Sequence, residues 1–214
     1  MAFPTTAVLD NFNRTNEGPP PSASWTGSIK DISTDNLEVI SNTLQSGGGD
    51  GQAYWDLTTF GPDSEAYTDV PAMTTTAGTW MDLFVRIGGT PPLLTDCYMG
   101  ELYNVTADSP GYYIFRIDNS ASTQLGASID SSAFSDGDSL GLEALGTAIT
   151  MYRKPAAGSW ASLGSRTDAT YGTAGFIGVR VVETAGYELD NFGGGTIIAA
   201  GGTLTFRGLK GVGN

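Results

Sequence analysis

No histidine occurs among the 214 residues of this chain, which removes the commonest general base, every Ser-His or Cys-His nucleophile pair and every imidazole metal site. Cys97 is the only cysteine, so an internal disulfide is excluded, and the residue reads as a small buried apolar side chain. No apolar run approaches the roughly 20 residues of a membrane-spanning helix. The start, Met1-Ala2-Phe3-Pro4-Thr5-Thr6, has no basic stretch leading into an apolar one, which predicts synthesis without a secretory leader. Cations are scarce too. Ten Lys and Arg face 23 Asp and Glu for a net charge of −13, which predicts repulsion from nucleic acid and from anionic membrane surfaces.

What is present is turn chemistry and alternation. An apolar fraction of 40% suffices for a core, while 30 Gly and 10 Pro among many Ser, Thr, Asn and Asp predict short strands rather than long helices. Segment 79–87 places Trp80, Asp82, Phe84 and Arg86 on one face and Met81, Leu83, Val85 and Ile87 on the other, a period of two. Strand-like runs recur over 7–12, 36–40, 43–45, 53–57, 65–70, 79–87, 98–105, 112–117, 123–129, 139–144, 148–153, 160–166, 176–182 and 187–192. The turns between them fall about 8 to 12 residues apart, the spacing of an antiparallel sandwich. Residues 88–96 read as a loop inserted at one end, and 131–134 as one helical turn at most.

The tetrapeptide Leu-Asp-Asn-Phe occurs twice, at 9–12 and at 189–192. In a closed sandwich the first and last strands lie side by side, so the two copies mark the ends of one unit. The reading is therefore a jelly-roll domain over residues 1–195 and an extension over 196–214. That extension follows three glycines, holds Ile197, Ile198, Leu204 and Phe206, and ends in a basic stretch with Arg207 and Lys210. With those two cations set aside, the body carries −15. A glycine-hinged, apolar, basic tail on an acidic body suits a neighbouring subunit, by adding a strand to its sheet, or equally its own sheet.

Three stretches taken together resemble a known family: 8–14 with Gly18-Pro19-Pro20 and Trp25, the Gly137-Asp138 turn with Leu140, Leu142 and Gly146, and 189–192 with its glycines. They look like the concanavalin A-like, laminin-G-like jelly rolls found in bacteriophage structural proteins and in bacterial proteins of unassigned role. The resemblance implies an all-β fold of two packed antiparallel sheets with neighbouring terminal strands. It implies no single function, because such folds host hydrolases, lyases, lectins and passive modules alike. Glycosidases of this fold carry two Glu flanking an Asp on one strand; here Glu188-Leu189-Asp190 supplies only half of that, so the expectation is a protein that is not an enzyme.

Two further constellations are candidates. Asp10 and Asp190 share a place in the repeated tetrapeptide and could hold a structural calcium ion, or each could be a solvated or turn-capping carboxylate. Trp160, Trp55 and Tyr112 are the candidate glycan platforms, with core packing the alternative for each. The leading expectation is a virion structural protein, a decoration or tail-surface jelly roll made in the host cytoplasm, self-associating and docked on other virion proteins through Ile197, Ile198, Leu204, Phe206, Arg207 and Lys210. The second is a carbohydrate-binding module for cell-surface glycans.

Overall fold

A computed structural model describes residues 2–27, 36–73, 78–90, 93–106, 109–182 and 186–198. They form fifteen strands, and no helix occurs among the described residues. One sheet contains β1 (Val8–Asp10), β3 (Leu37–Ile40), β4 (Thr43–Ser46), β6 (Ser64–Ala72), β11 (Ser139–Leu145), β12 (Ala148–Lys154), β13 (Ala161–Thr167) and β15 (Glu188–Thr196). Its order is β13-β12-β11-β6-β15-β4-β3, with β1 also on β15. The other contains β2 (Trp25–Thr26), β5 (Gly51–Trp55), β7 (Trp80–Thr90), β8 (Leu93–Thr106), β9 (Ser109–Asp118), β10 (Ala121–Gln124) and β14 (Phe176–Val182). Its order is β10-β9-β8-β7-β14-β5-β2. Every pairing in both is antiparallel.

Two hairpins turn on residue pairs with positive φ, Ser41-Asn42 (53° and 68°) and Asn119-Ser120 (45° and 71°), the mirror-image turn whose twist matches the flanking strands. Between the sheets lies the main core, in which Leu83, Val85, Leu102, Tyr112, Leu142, Met151, Val179 and Phe192 are buried. The described part of segment 88–96 is strand and not an inserted loop: β7 reaches Thr90 and β8 begins at Leu93, with Gly88 opposite Asp96 and Gly89 opposite Leu94.

Strict alternation also fails once in β7. Arg86 has φ of 54°, and the ladder shifts register between Val85 and Gly88, a β-bulge that turns the next side chains over. Arg86 thereby joins Tyr98 on the core side, 5.8 Å above its ring. Ile87 joins Tyr54, Phe84, Cys97, Met99 and Ile117 in a second apolar cluster on the opposite face.

The repeated tetrapeptides do meet. Val8 pairs with Gly193 and Asp10 with Phe192, across a register shift. The three glycines at 193–195 are strand residues opposite Tyr67, Ala66 and Glu65, so the hinge expected there is part of the sheet. Ile197 is buried and its amide donates to the Asp63 carbonyl at 2.9 Å, which removes it from any docking surface, whereas Ile198 is 81% exposed. Leu204, Phe206, Arg207 and Lys210 lie outside the described residues.

One end of the sandwich is closed by a polar network. Tyr98 and Arg116, on one rung of β8 and β9, bond Asp168 at 2.7 and 2.9 Å, and Arg116 and Tyr171 bond Asp118 at 2.7 and 2.5 Å. Burial works against the charge on Asp168, but hydrogen bonds from Thr170, Tyr98 and Arg116 outweigh it and hold the carboxyl down at about 2. A carboxyl lowered in the folded state gives stability that is complete above its unfolded pKa and lost as pH falls through the folded one. Chemical-denaturant titrations at pH 5 and pH 2.5 should therefore show about 1–2 kcal/mol of Asp168-dependent stability disappearing across that window. Asp168→Asn should remove that part of the pH dependence.

Candidate functional site

Pairing across the seven-stranded sheet aligns its outward side chains in rungs. One rung runs Tyr113, Glu101, Asp82, Arg180, Gln52; the next runs Tyr103, Trp80, Val182; a third holds Gln124, Phe115, Met99 and Phe84. Trp80, Glu101, Tyr103, Tyr113, Phe115 and Gln124 from these rungs line a recess of about 370 Å³. Its walls are aromatic: Trp80 and Tyr103 centroids are 5.7 Å apart, and those of Tyr113 and Phe115 6.4 Å.

Local sequence explains why these rings can line a cavity. Gly111 leaves room for the Tyr113 ring, which any Cβ there would meet at 2.5 Å. Under Trp80 the sheet is charged and buried: the Arg180 guanidinium lies 5.5 Å from the Trp80 ring and pairs with Asp50 at 2.7 Å and Asp82 at 3.4 Å. With Arg180 and Asp82 buried and Asp50 partly exposed, this triad fixes the indole in place more than it adds stability. An aromatic surface on a rigid sheet, rimmed by a carboxylate and an amide, can stack on the apolar face of a ligand and hydrogen-bond its edge.

The residues singled out from sequence fare differently. Trp55 is 9% exposed and packs edge-on against Trp25 at 5.5 Å, so it is core and not a platform. Tyr112 is fully buried and donates its hydroxyl to the Ser132 carbonyl at 3.1 Å. Its neighbour Tyr113 points outward, and the doublet Tyr112-Tyr113 gave no sign of which ring faces out. Trp160 is half-buried on the opposite sheet, against Phe3, Tyr67 and Lys154. Glu101, Tyr103, Phe115 and Gln124 were missed. For the first three the signal was the alternation of β8 and β9, where Leu102 and Ile114 face the core; Gln124 ends β10, a strand of four exposed residues that carries no such pattern.

Asp10 is buried, not solvated. It accepts a bidentate pair from Arg14 at 2.6 and 3.0 Å, the Trp25 indole N–H at 2.9 Å and the Phe12 amide at 2.9 Å. Asp190 stands nearby, its carboxyl pushed up by burial and by the charges of Asp69 and Asp10, against a bond from the Asn191 amide. With Arg14 on both Asp10 oxygens, this pair does not fit a calcium ion. No group of three acidic or cysteine side chains suited to a metal occurs among the described residues.

No protein-family model matches the chain, and no curated protein matches it. Solved structures do. The carbohydrate-binding module CBM66 from Bacillus subtilis superposes with a TM-score of 0.53 at 15% identity, covering 81% of this chain and 94% of that one. The exoplasmic/lumenal domain of VIP36 in its Ca2+-bound form gives 0.62 at 11% identity over 90% of both chains. Xylan β-1,4-xylosidase from Bacillus halodurans C-125 gives 0.61 at 12% identity, over 88% of this chain but only 39% of the enzyme. Together with the two antiparallel sheets, these similarities show that the chain is a concanavalin A-like jelly-roll sandwich.

Proposed function

We propose that the protein binds carbohydrate, without turning it over, in the aromatic recess on the outer face of the seven-stranded sheet. The observation that carries this reading is the convergence of Trp80, Tyr103, Tyr113 and Phe115 with Glu101 and Gln124 in one recess of about 370 Å³. Aromatic faces match the C–H faces of sugar rings, while Glu101 and Gln124 offer acceptors and donors to hydroxyls. Support comes also from the company of the fold: CBM66 is a carbohydrate-binding module, and VIP36 has been crystallised in a Ca2+/Man2-bound form. Hydrolysis needs two carboxylates at a set separation. Among the described residues Glu101 is the one acid lining the recess, and its cross-strand neighbour Asp82 is engaged by Arg180. The virion reading draws no support from these neighbours; of its docking residues Ile197 is buried, Ile198 is exposed, and Leu204, Phe206, Arg207 and Lys210 lie outside the described residues.

A glycan array probed with the full chain tests the proposal. Trp80→Ala and Tyr113→Ala should each weaken the strongest signal at least ~10-fold, as loss of a central aromatic anchor costs about 2 kcal/mol. Trp160→Ala should leave it unchanged. Absence of any bound glycan, or binding indifferent to Trp80, would refute the assignment.

A further inference from the structure

The outer face of the eight-stranded sheet also carries side chains in rungs. One places Gly141 between Tyr152 and Tyr67, with Gly193 beyond; the next sets Glu143 directly across from Glu65. Trp160 stands at the side, its centroid 6.2 Å from that of Tyr67. A glycine floor between two tyrosines, closed by a tryptophan, makes a three-walled aromatic box. The chain fills this box itself. Phe3 stacks on Tyr152 at 4.1 Å with 1° between the planes, and meets Trp160 and Tyr67 edge-on at 5.0 and 6.4 Å. Any Cβ on Gly141 would overlap the Phe3 ring.

Beyond the box, Glu65 is fully buried and one of its oxygens, Oε1, accepts four hydrogen bonds from the same strap. They come from the Thr5 amide at 2.6 Å and hydroxyl at 3.2 Å, and from the Thr6 amide and hydroxyl, both at 2.7 Å. The other oxygen, Oε2, is buried with no partner among the described residues. Glu143 accepts from the Tyr152 hydroxyl at 3.2 Å, and its carboxyl is pushed up by burial, against that bond, with the charge of Glu65 adding to the rise. A cavity of about 500 Å³, lined by Phe3, Tyr152, Lys154, Ser159 and Trp160 among others, opens beside the plug.

A purely structural strap has little use for this arrangement. Like charges directly opposed on neighbouring strands are destabilising, and an unsatisfied buried carboxylate oxygen costs more still. Both features suit a ligand rich in hydroxyl donors. A ring laid on an aromatic face, with neighbouring hydroxyls donating to a carboxylate, is also how a sugar is held through its C–H face, and Phe3 with Thr5 and Thr6 reproduces that pattern in peptide form. We propose that the Tyr67–Tyr152–Trp160 box with Glu65 is a second glycan site, for a pyranose ring, held shut by residues 2–6 of the same chain. The strap competes at the high effective concentration of a tethered segment, so the site is weak until the strap is loosened. This proposal does not rest on the recess of the other sheet.

The 214-residue chain labelled with 5-fluorotryptophan provides the test, since its four tryptophans give four fluorine resonances and Trp160→Phe identifies one of them. Mannobiose, xylotetraose and cellotetraose serve as probes. In Phe3→Ala, which empties the box, and in Thr5→Ala/Thr6→Ala, which loosens the strap and leaves the box intact, at least one probe should shift the Trp160 resonance saturably. Half-saturation should fall at least ~10-fold below that of the native chain. Adding Glu65→Gln should abolish the shift, and adding Trp80→Ala should not change it. A Trp160 resonance unmoved by all three probes in the folded threonine variant, or a shift lost with Trp80→Ala, overturns the proposal. Failure of the recess reading would show separately, as a Trp80 resonance unmoved in the native chain.

Discussion

Replacing Trp25 by alanine should cost about 4–5 kcal/mol, the upper range for a buried aromatic, and lower the melting temperature by roughly 10–20 °C. The size follows from what converges on this indole. Phe12 lies 6.0 Å away, Phe192 at 4.9 Å and Trp55 at 5.5 Å, so one side chain joins the two copies of Leu-Asp-Asn-Phe to β5 across the sandwich. Its N–H donates to Asp10 at 2.9 Å, and Asp10 in turn holds Arg14, whose guanidinium also reaches the Pro21 carbonyl at 2.9 Å. Truncation therefore opens a cavity and strips a buried carboxylate of a donor at once. Trp25→Phe separates the two effects: it should retain most of the packing and lose only about 1–2 kcal/mol through the indole bond. Denaturant titration of both variants checks this. Equal losses would mean that packing between the terminal strands is not what Trp25 supplies.

That hub shows how much the chain reveals unaided. The pairing of the terminal strands was legible, because the repeated tetrapeptide places Leu and Phe where an inward face needs them, and Val8 does pair with Gly193. The Asp10 environment was not. Alternation alone points it outward, and only a register shift and an arginine four residues on turn it into a buried ion pair. The same limit governs the recess. Strand alternation assigns a side chain to one of two faces, but the choice of core face depends on neighbouring strands distant in sequence, such as β14 between β7 and β5. Tyr112 and Tyr113 are equivalent by composition and opposite in role. The plug of Phe3 was invisible for a different reason: Gly141, which makes its floor, looks like any strand glycine until Phe3 is placed on it.

Arg86→Met should cost about 3–5 kcal/mol, the cost of leaving buried polar partners without their charge. Arg86 is buried at the bulge of β7, and its forked donors serve three carbonyls from separate segments: Pro62, Tyr171 at 2.7 Å and Gly146 at 2.7 Å. Asp63 lies 3.6 Å from it and is substantially exposed, so most of the binding is to neutral oxygens. Burial lowers the pKa of the guanidinium, yet an arginine stays charged, and this is what lets one side chain tie the segment before β6, the β11–β12 turn and the loop before β14 together. Methionine fills similar volume and donates nothing, leaving those carbonyls without the bonds Arg86 supplies. Lysine keeps the charge but not the fork, so Arg86→Lys should still lose about 2 kcal/mol or more. Thermal melts should place the methionine variant roughly 6–15 °C below the native chain, with the lysine variant between. Amide exchange should quicken first around Gly146 and Tyr171, because those loops lose their common anchor before the sheets open. A methionine variant within 1 kcal/mol of the native chain would mean that water serves the three carbonyls as well as the arginine does.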